Sequence, residues 1–122
     1  MLWSKGISSR ILNVATLKPI DENEVVAELK KQKRFFSVEE HNVIGGLGTL
    51  LADVIAGYDL DVSLIKIGLP DKFACGFGTR QEVLQANNLD ANSIFYIISN
   101  IVCWYYIFHF KMMIDFYVDC VI

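Results

Sequence analysis

Arg34-Phe35-Phe36-Ser37-Val38, followed by Glu39-Glu40-His41-Asn42 and then Gly45-Gly46-Leu47-Gly48-Thr49, is the stretch whose reading decides the fold. Residues 34–38 are short, aromatic and mostly apolar, which predicts a strand. The glycine segment then opens a helix. Leu47, Leu50, Leu51, Val54 and Ile55 fall at i, i+3, i+4, i+7 and i+8, an apolar face suited to packing on a sheet. Gly57 supplies a stop signal.

Working outward, residues 62–67 (Val-Ser-Leu-Ile-Lys-Ile) read as the next strand, and Gly68-Leu69-Pro70-Asp71 turn away from it. A glycine-rich loop, Cys75-Gly76-Phe77-Gly78, precedes a polar helix over Arg80–Gln85. Leu89-Asp90 starts a last helix with Ile94, Ile97, Ile98 and Ile101 on one face. On the N-terminal side, residues 11–16 (Ile-Leu-Asn-Val-Ala-Thr) read as a buried strand between a turn at Gly6 and Lys18-Pro19. Pro19 cannot donate to a ladder and biases Lys18 away from helix, so that strand stops there. Asp21 begins a helix as N-cap, with Glu24 three residues on. Val25, Val26 and Leu29 give it an apolar stripe, and its acids (Glu22, Glu24, Glu28) precede its lysines (Lys30, Lys31, Lys33), as the helix dipole favours.

Strands alternating with helices predict right-handed crossovers: a three-layer α/β fold with a short, mostly parallel sheet and helices on both faces. The 122 residues suffice for one domain with one core. With 11 basic and 14 acidic residues and a net charge of −3, there is no cationic excess to follow a nucleic-acid backbone. Cys75, Cys103 and Cys120 are odd in number and widely spaced. This argues against a disulfide framework or zinc site and predicts a reducing, cytoplasmic setting. The N-terminus, Met1 to Gly6, carries no secretory signal pattern.

Each candidate site has a chemical and a structural reading. Amides of the Gly45–Gly48 loop could hold an anion at a helix N-terminus, yet the loop is neither GxxxxGK[ST] nor GxGxxG. A tight turn with close helix packing accounts for Gly45, Gly46 and Gly48. Glu39, Glu40 and His41 lie at a strand's carboxyl end, where α/β sheets place active residues, but they have no paired nucleophile and too few ligands for a metal. Hydrogen bonds that fix the loop, or interface contacts, are the expected role for them and for Asn42. Pro70 and Asp71 are expected to fix a turn. Cys75 has only Lys72 as a cationic neighbour in sequence. His109 sits in an apolar run with no visible partner.

Four segments together resemble the C-terminal domain of the transketolases. Thr16-Leu17-Lys18-Pro19-Ile20-Asp21 is similar to the family's TIKPLD motif. Val38-Glu39-Glu40-His41-Asn42 with Gly45–Gly48 resembles VEEH…GGLG, and Gly68-Leu69-Pro70-Asp71-Lys72-Phe73 resembles GIPDxF. Leu89-Asp90-Ala91 with Ile94 looks like the start of the final helix. The resemblance covers about Lys5 to Ile101 and implies that the family's leading strand is missing here. It also implies an enzyme that moves ketol units between sugar phosphates in the pentose phosphate pathway with thiamine diphosphate and a divalent metal. Those groups, and the glutamate that activates the cofactor, belong to other domains, and no position here matches that glutamate. The expected role is therefore non-catalytic: stabilising assembly with the catalytic domains or subunit of a transketolase, itself a homo-oligomer, a dimer in the whole enzyme. No catalytic, cofactor-binding or metal position is assigned to this chain. Deoxyxylulose-phosphate synthases and the β subunits of 2-oxoacid dehydrogenases share the domain type and stand as alternatives.

The resemblance divides the chain into residues 1–101, a truncated domain of this kind, and 102–122, an atypical hydrophobic tail. Mean hydropathy is +0.37, and its excess sits in the tail region. The segment 91–110 approaches the length of a bilayer span, so a membrane-anchored module held by residues 94–122 is a further alternative. From Cys103 on, the composition fits a shifted reading frame, and such a tail, if exposed, would promote aggregation.

Overall fold

The computed structural model describes residues 1–108 and 117–121, with side-chain surroundings through Cys103. A 3-10 turn (Trp3–Lys5) leads into strand β1 (Ser8–Leu12), helix α1 (Glu22–Leu29), β2 (Arg34–Asn42), α2 (Leu47–Gly57), β3 (Ser63–Leu69), α3 (Arg80–Ala86), α4 (Ala91–Phe108) and β4 (Tyr117–Val121). The four strands form one sheet in the order β1-β4-β2-β3, and every neighbouring pair is parallel.

Adjacent aromatic residues set the layers. Successive side chains in a strand point to opposite faces, so Phe35 and Phe36, each 0% exposed, serve different cores. Phe36 packs with Ile7, Ile67, Leu89, Ile98 and Val102 under α4. Phe35 packs with Val26, Leu29, Leu47, Leu51 and Val54 under α1 and α2. Each buried phenylalanine contributes roughly 1.5–3 kcal/mol of apolar transfer free energy. The expected three-layer α/β architecture is present.

Boundaries shift for identifiable reasons. The first strand occupies 8–12 rather than 11–16. Its ladder is set by β4, from Ser8↔Tyr117 to Leu12↔Val121, and Gly6 at φ +72° turns the chain into it. Asn13 to Thr16 leave the ladder and line a cavity of about 440 Å³ together with Val25, Leu29 and Phe35. β2 outlasts its apolar run and reaches Asn42, because its backbone keeps pairing with β3: Val38↔Ile67, then Asn42↔Leu69 after a register shift.

α4 runs unbroken across positions 101 and 102, and Val102 is 1% exposed. Residues 117–121 pair with β1 on one side and β2 on the other. His109 lies outside the described residues. Among the described residues, no helix is long and apolar enough to cross a membrane.

Candidate functional site

The strands are parallel, so the segments that follow β1, β2 and β3 gather at one end of the sheet, where α/β folds build their sites. Glu39, Glu40, His41, Asn42, the Gly45–Gly48 turn, Pro70 and Asp71 lie there, with β2 as their spine. Alternation along β2 sends Phe35, Ser37, Glu39 and His41 toward α2 and sends Phe36, Val38 and Glu40 the other way. This separates two glutamates that the sequence presents side by side.

Glu39 is the centre of the arrangement. Its side chain is 4% exposed, and its carboxylate accepts from Leu47 N at 2.5 Å and Gly48 N at 2.8 Å. These are the first amides of α2, which have no partner within the helix. The N-cap, Gly46, has no side chain to offer. A carboxylate from the neighbouring strand therefore caps the helix, favoured also by the positive end of its dipole. A Cβ on Gly46 would collide with Glu39 Oε2 and with the His41 ring.

His41 lies with Nε2 3.0 Å from Glu39 Oε2 and Nδ1 2.7 Å from Asn42 O. Both ring nitrogens thus face oxygen atoms. More than half of this side chain is exposed. Asn42 Oδ1 accepts from Ile44 N at 2.8 Å, an Asx-type turn, and Asn42 Nδ2 reaches Asp71 Oδ1 at 3.4 Å, joining the two loops. Gly45, at φ +80°, donates its N–H to Thr49 Oγ1 at 3.0 Å. Lys66 Nζ lies 3.2 Å from the same hydroxyl. Pro70 O accepts from Lys72 N at 2.7 Å, which tightens the loop after β3.

On the opposite face Glu40 pairs with Arg80 through both guanidinium contacts. Arg80 opens α3, which Thr79 and Glu82 start with a reciprocal capping box. Those hydrogen bonds from Thr79 hold the Glu82 carboxyl below its ordinary value of 4.5. Asn87 holds the loop before α3 by accepting from Cys75 N at 2.9 Å and donating to Cys75 O at 2.8 Å. The loop so held presents Phe73, 98% exposed, and Phe77, 96% exposed. Cys75 is exposed.

Lys18, Pro19 and Asp21 stand apart from the Glu39 cluster. The Lys18–Pro19 peptide is cis, and Lys18 and Pro19 line a cavity of about 510 Å³ with Asp53, Val54 and Tyr58. Asp21 Oδ1 caps α1 by accepting from Glu24 N at 3.0 Å. Tyr58 donates to Glu22, and that carboxylate raises the phenol above its ordinary value.

Sequence reading passed over Arg80, Asn87, Lys66 and the Thr79–Glu82 box. Thr-x-x-Glu ahead of a helix is a legible capping signature. Arg80 meets Glu40 across a long sequence separation and leaves no local trace. Chemically, the arrangement braces turns. The α2 amides that could have held an anion are occupied by Glu39. Among the described residues, no group of three or more His, Cys, Asp or Glu could hold a metal ion.

The family model for the transketolase C-terminal domain matches residues 1–94. A Methanocaldococcus jannaschii protein described as a transketolase C-terminal section is 44% identical over 95 residues, covering 77% of this chain and 28% of its own length. A subunit of the apulose-4-phosphate transketolase of Actinobacillus succinogenes is 36% identical, with 76% of this chain and 30% of that protein covered. A 1-deoxy-D-xylulose-5-phosphate synthase of Syntrophotalea carbinolica is 33% identical, with 77% and 15% covered. The chain thus spans less than a third of the length of these curated relatives. On this match over most of its length, with the α/β fold consistent with it, the chain belongs to the transketolase C-terminal domain family.

Proposed function

We propose that this chain serves as a non-catalytic C-terminal part of a transketolase-type enzyme, stabilising the assembly of domains and subunits around a catalytic portion supplied elsewhere. The single observation that carries the reading is the occupation of the α2 N-terminus by Glu39. A diphosphate brought to that turn would meet a buried carboxylate on the amides it needs, so the residues present do not fit such a group. Thiamine diphosphate and a divalent metal belong, on this reading, to the partner. Glu39, Glu40, His41, Asn42, Pro70 and Asp71 shape the contact loops, and the exposed Phe73, Phe77 and Ile44 at the same end of the sheet supply apolar area for docking. Two relatives are named as a section or a subunit of a transketolase, which favours a separately made partner. We place the complex in the cytoplasm, with the catalytic portion forming its dimer core.

The test is complementation. The Methanocaldococcus relative, with the matching 95 residues deleted, is combined with the remaining section of that transketolase and with this chain, and assayed for ketol transfer dependent on thiamine diphosphate. A co-sedimenting complex with restored turnover, and none from either part alone, is the expected result. Turnover by this chain alone, or a folded deletant that never binds it, refutes the reading. The same experiment on the Syntrophotalea synthase decides the alternative branch, which its 33% identity keeps in play.

A further inference from the structure

Between Leu69, the last residue in the β3 ladder, and the buried Leu89, the chain makes an excursion that owes little to either core. Every residue from Asp71 to Glu82 is exposed, and α3 contains no buried residue. Leu84 packs, half-buried, against the core under α4. The excursion is nevertheless ordered from within. Asn87 bonds both backbone groups of Cys75 and also donates to Val83 O at 2.7 Å. Thr79 and Glu82 close their capping box, and a Cβ on Gly76 would stand 3.0 Å from the Ala86 methyl. By contrast, the ties to β2 are polar and exposed: Arg80 pairs with Glu40, and Asp71 Oδ1 meets Asn42 Nδ2 at 3.4 Å.

A segment with many internal bonds, little buried apolar surface and two fixed ends is of the kind that opens as one body. One end is fixed by Leu69 in the ladder, with Pro70 next in the chain. At the other end Asn88, at φ +59°, turns the chain just before the buried Leu89. We infer that residues 71–88 form a preassembled flap that swings about Pro70 and Asn88, with the Glu40–Arg80 ion pair as its latch. An exposed ion pair shifts such an equilibrium by up to about fivefold and is screened by salt, so this latch holds the flap without locking it. The flap carries Phe73 and Phe77, and its position decides where those rings stand. The flap and its latch follow from geometry alone; only their bearing on docking rests on the assembly role above.

Two native cysteines straddle the latch: Cys75 is exposed on the flap, and Cys103 is exposed on α4. Nitroxides on both, in a Cys120→Ser chain, report their separation by pulsed electron resonance. One distance should dominate in this parent. Arg80→Gln should raise the population at other distances up to about fivefold, and exchanging the charges (Glu40→Arg with Arg80→Glu) should restore the parent distribution. Salt at about 1 M should mimic Arg80→Gln in the parent and add nothing to the variant. Distances that ignore Arg80→Gln, or a charge-exchanged chain that behaves like the single variant, overturn the latch. Hydrogen exchange separates swinging from melting. In Arg80→Gln the amides of Cys75 and Val83, bonded within the flap, should stay as protected as in the parent. The Leu89 amide, which reaches Leu84 O across Asn88 at 2.8 Å, should exchange severalfold faster. Lost protection at Cys75 and Val83 overturns the single-body flap. Should Cys120→Ser not fold, the exchange measurement on the chain with all its cysteines decides, and an unchanged Leu89 overturns the proposal.

Discussion

Ser37 and Gly48 meet with no room for a side chain between them: a Cβ on Gly48 would stand 2.5 Å from Ser37 Oγ and 2.8 Å from Lys66 Cγ. Gly48 is in the first turn of α2, and Ser37 is in the middle of β2 with a buried hydroxyl that has no partner among the described residues. The glycine lets the helix descend onto the sheet until Leu47 and Gly48 N–H reach Glu39.

Gly48→Ala should therefore destabilise the fold despite alanine's better helix propensity. Overpacking of this kind costs about 1–3 kcal/mol, against roughly 1 kcal/mol gained from propensity. Urea denaturation should show a lower midpoint with an unchanged slope. A rise in the midpoint would mean that the helix and sheet are not in close contact at this point.

Removing the cap tests the same joint from the other side. Glu39→Ala leaves two buried helix amides without an acceptor and should cost about 2 kcal/mol or more. Glu39→Gln keeps one acceptor oxygen and should lose less. Equal losses for the two variants would contradict the carboxylate's role in capping α2, as read from chemical denaturation monitored by circular dichroism.

Acid should weaken the fold through named carboxyls. Thr79 holds Glu82 below its ordinary value of 4.5; Lys33 does the same for Asp61 and Ser93 for Asp90, each below 3.8. A lowered folded value means that the stabilisation is complete above the ordinary value and is lost as pH falls through the folded one. Stability should thus hold from neutrality to about pH 5 and decline below it. Glu82→Gln should flatten part of that decline. A variant curve parallel to the parent's between about pH 5 and 3 would remove Glu82 from the account.

Docking should depend on aromatic residues that folding does not use. Phe73→Asp with Phe77→Asp should leave the melting temperature within a few degrees, since both rings are almost fully exposed. In the complementation assay the pair should weaken assembly by about 1–2 kcal/mol or more, roughly tenfold or greater in Kd. Unchanged affinity would exclude this loop from the contact.

Much of the α/β architecture was legible because period and position agree: Leu47, Leu51 and Val54 are buried on α2 as their spacing requires, and Asp21 caps α1. The glutamates were harder to read. Glu39 and Glu40 are chemically identical neighbours, and only the pleat of β2 sends one into a helix terminus and the other to Arg80. β1 starts three residues earlier than its apolar run, because such a run marks what can be buried and not what is paired. Its pairing partner is β4, far along the chain in a segment whose composition suggested no strand.

The place of β4 bears on how the protein is made. Ser8 cannot find Tyr117 until the long stretch between them has left the ribosome, so this part of the sheet cannot close before β4 emerges. Phe35 and Phe36 will have been waiting, half sheltered by helices already formed, for the strand that comes last. Closing so large a loop late slows folding and prolongs the exposure of open strand edges. For this chain, the interval between translation and closure is when it is most exposed to aggregation and to capture by a chaperone.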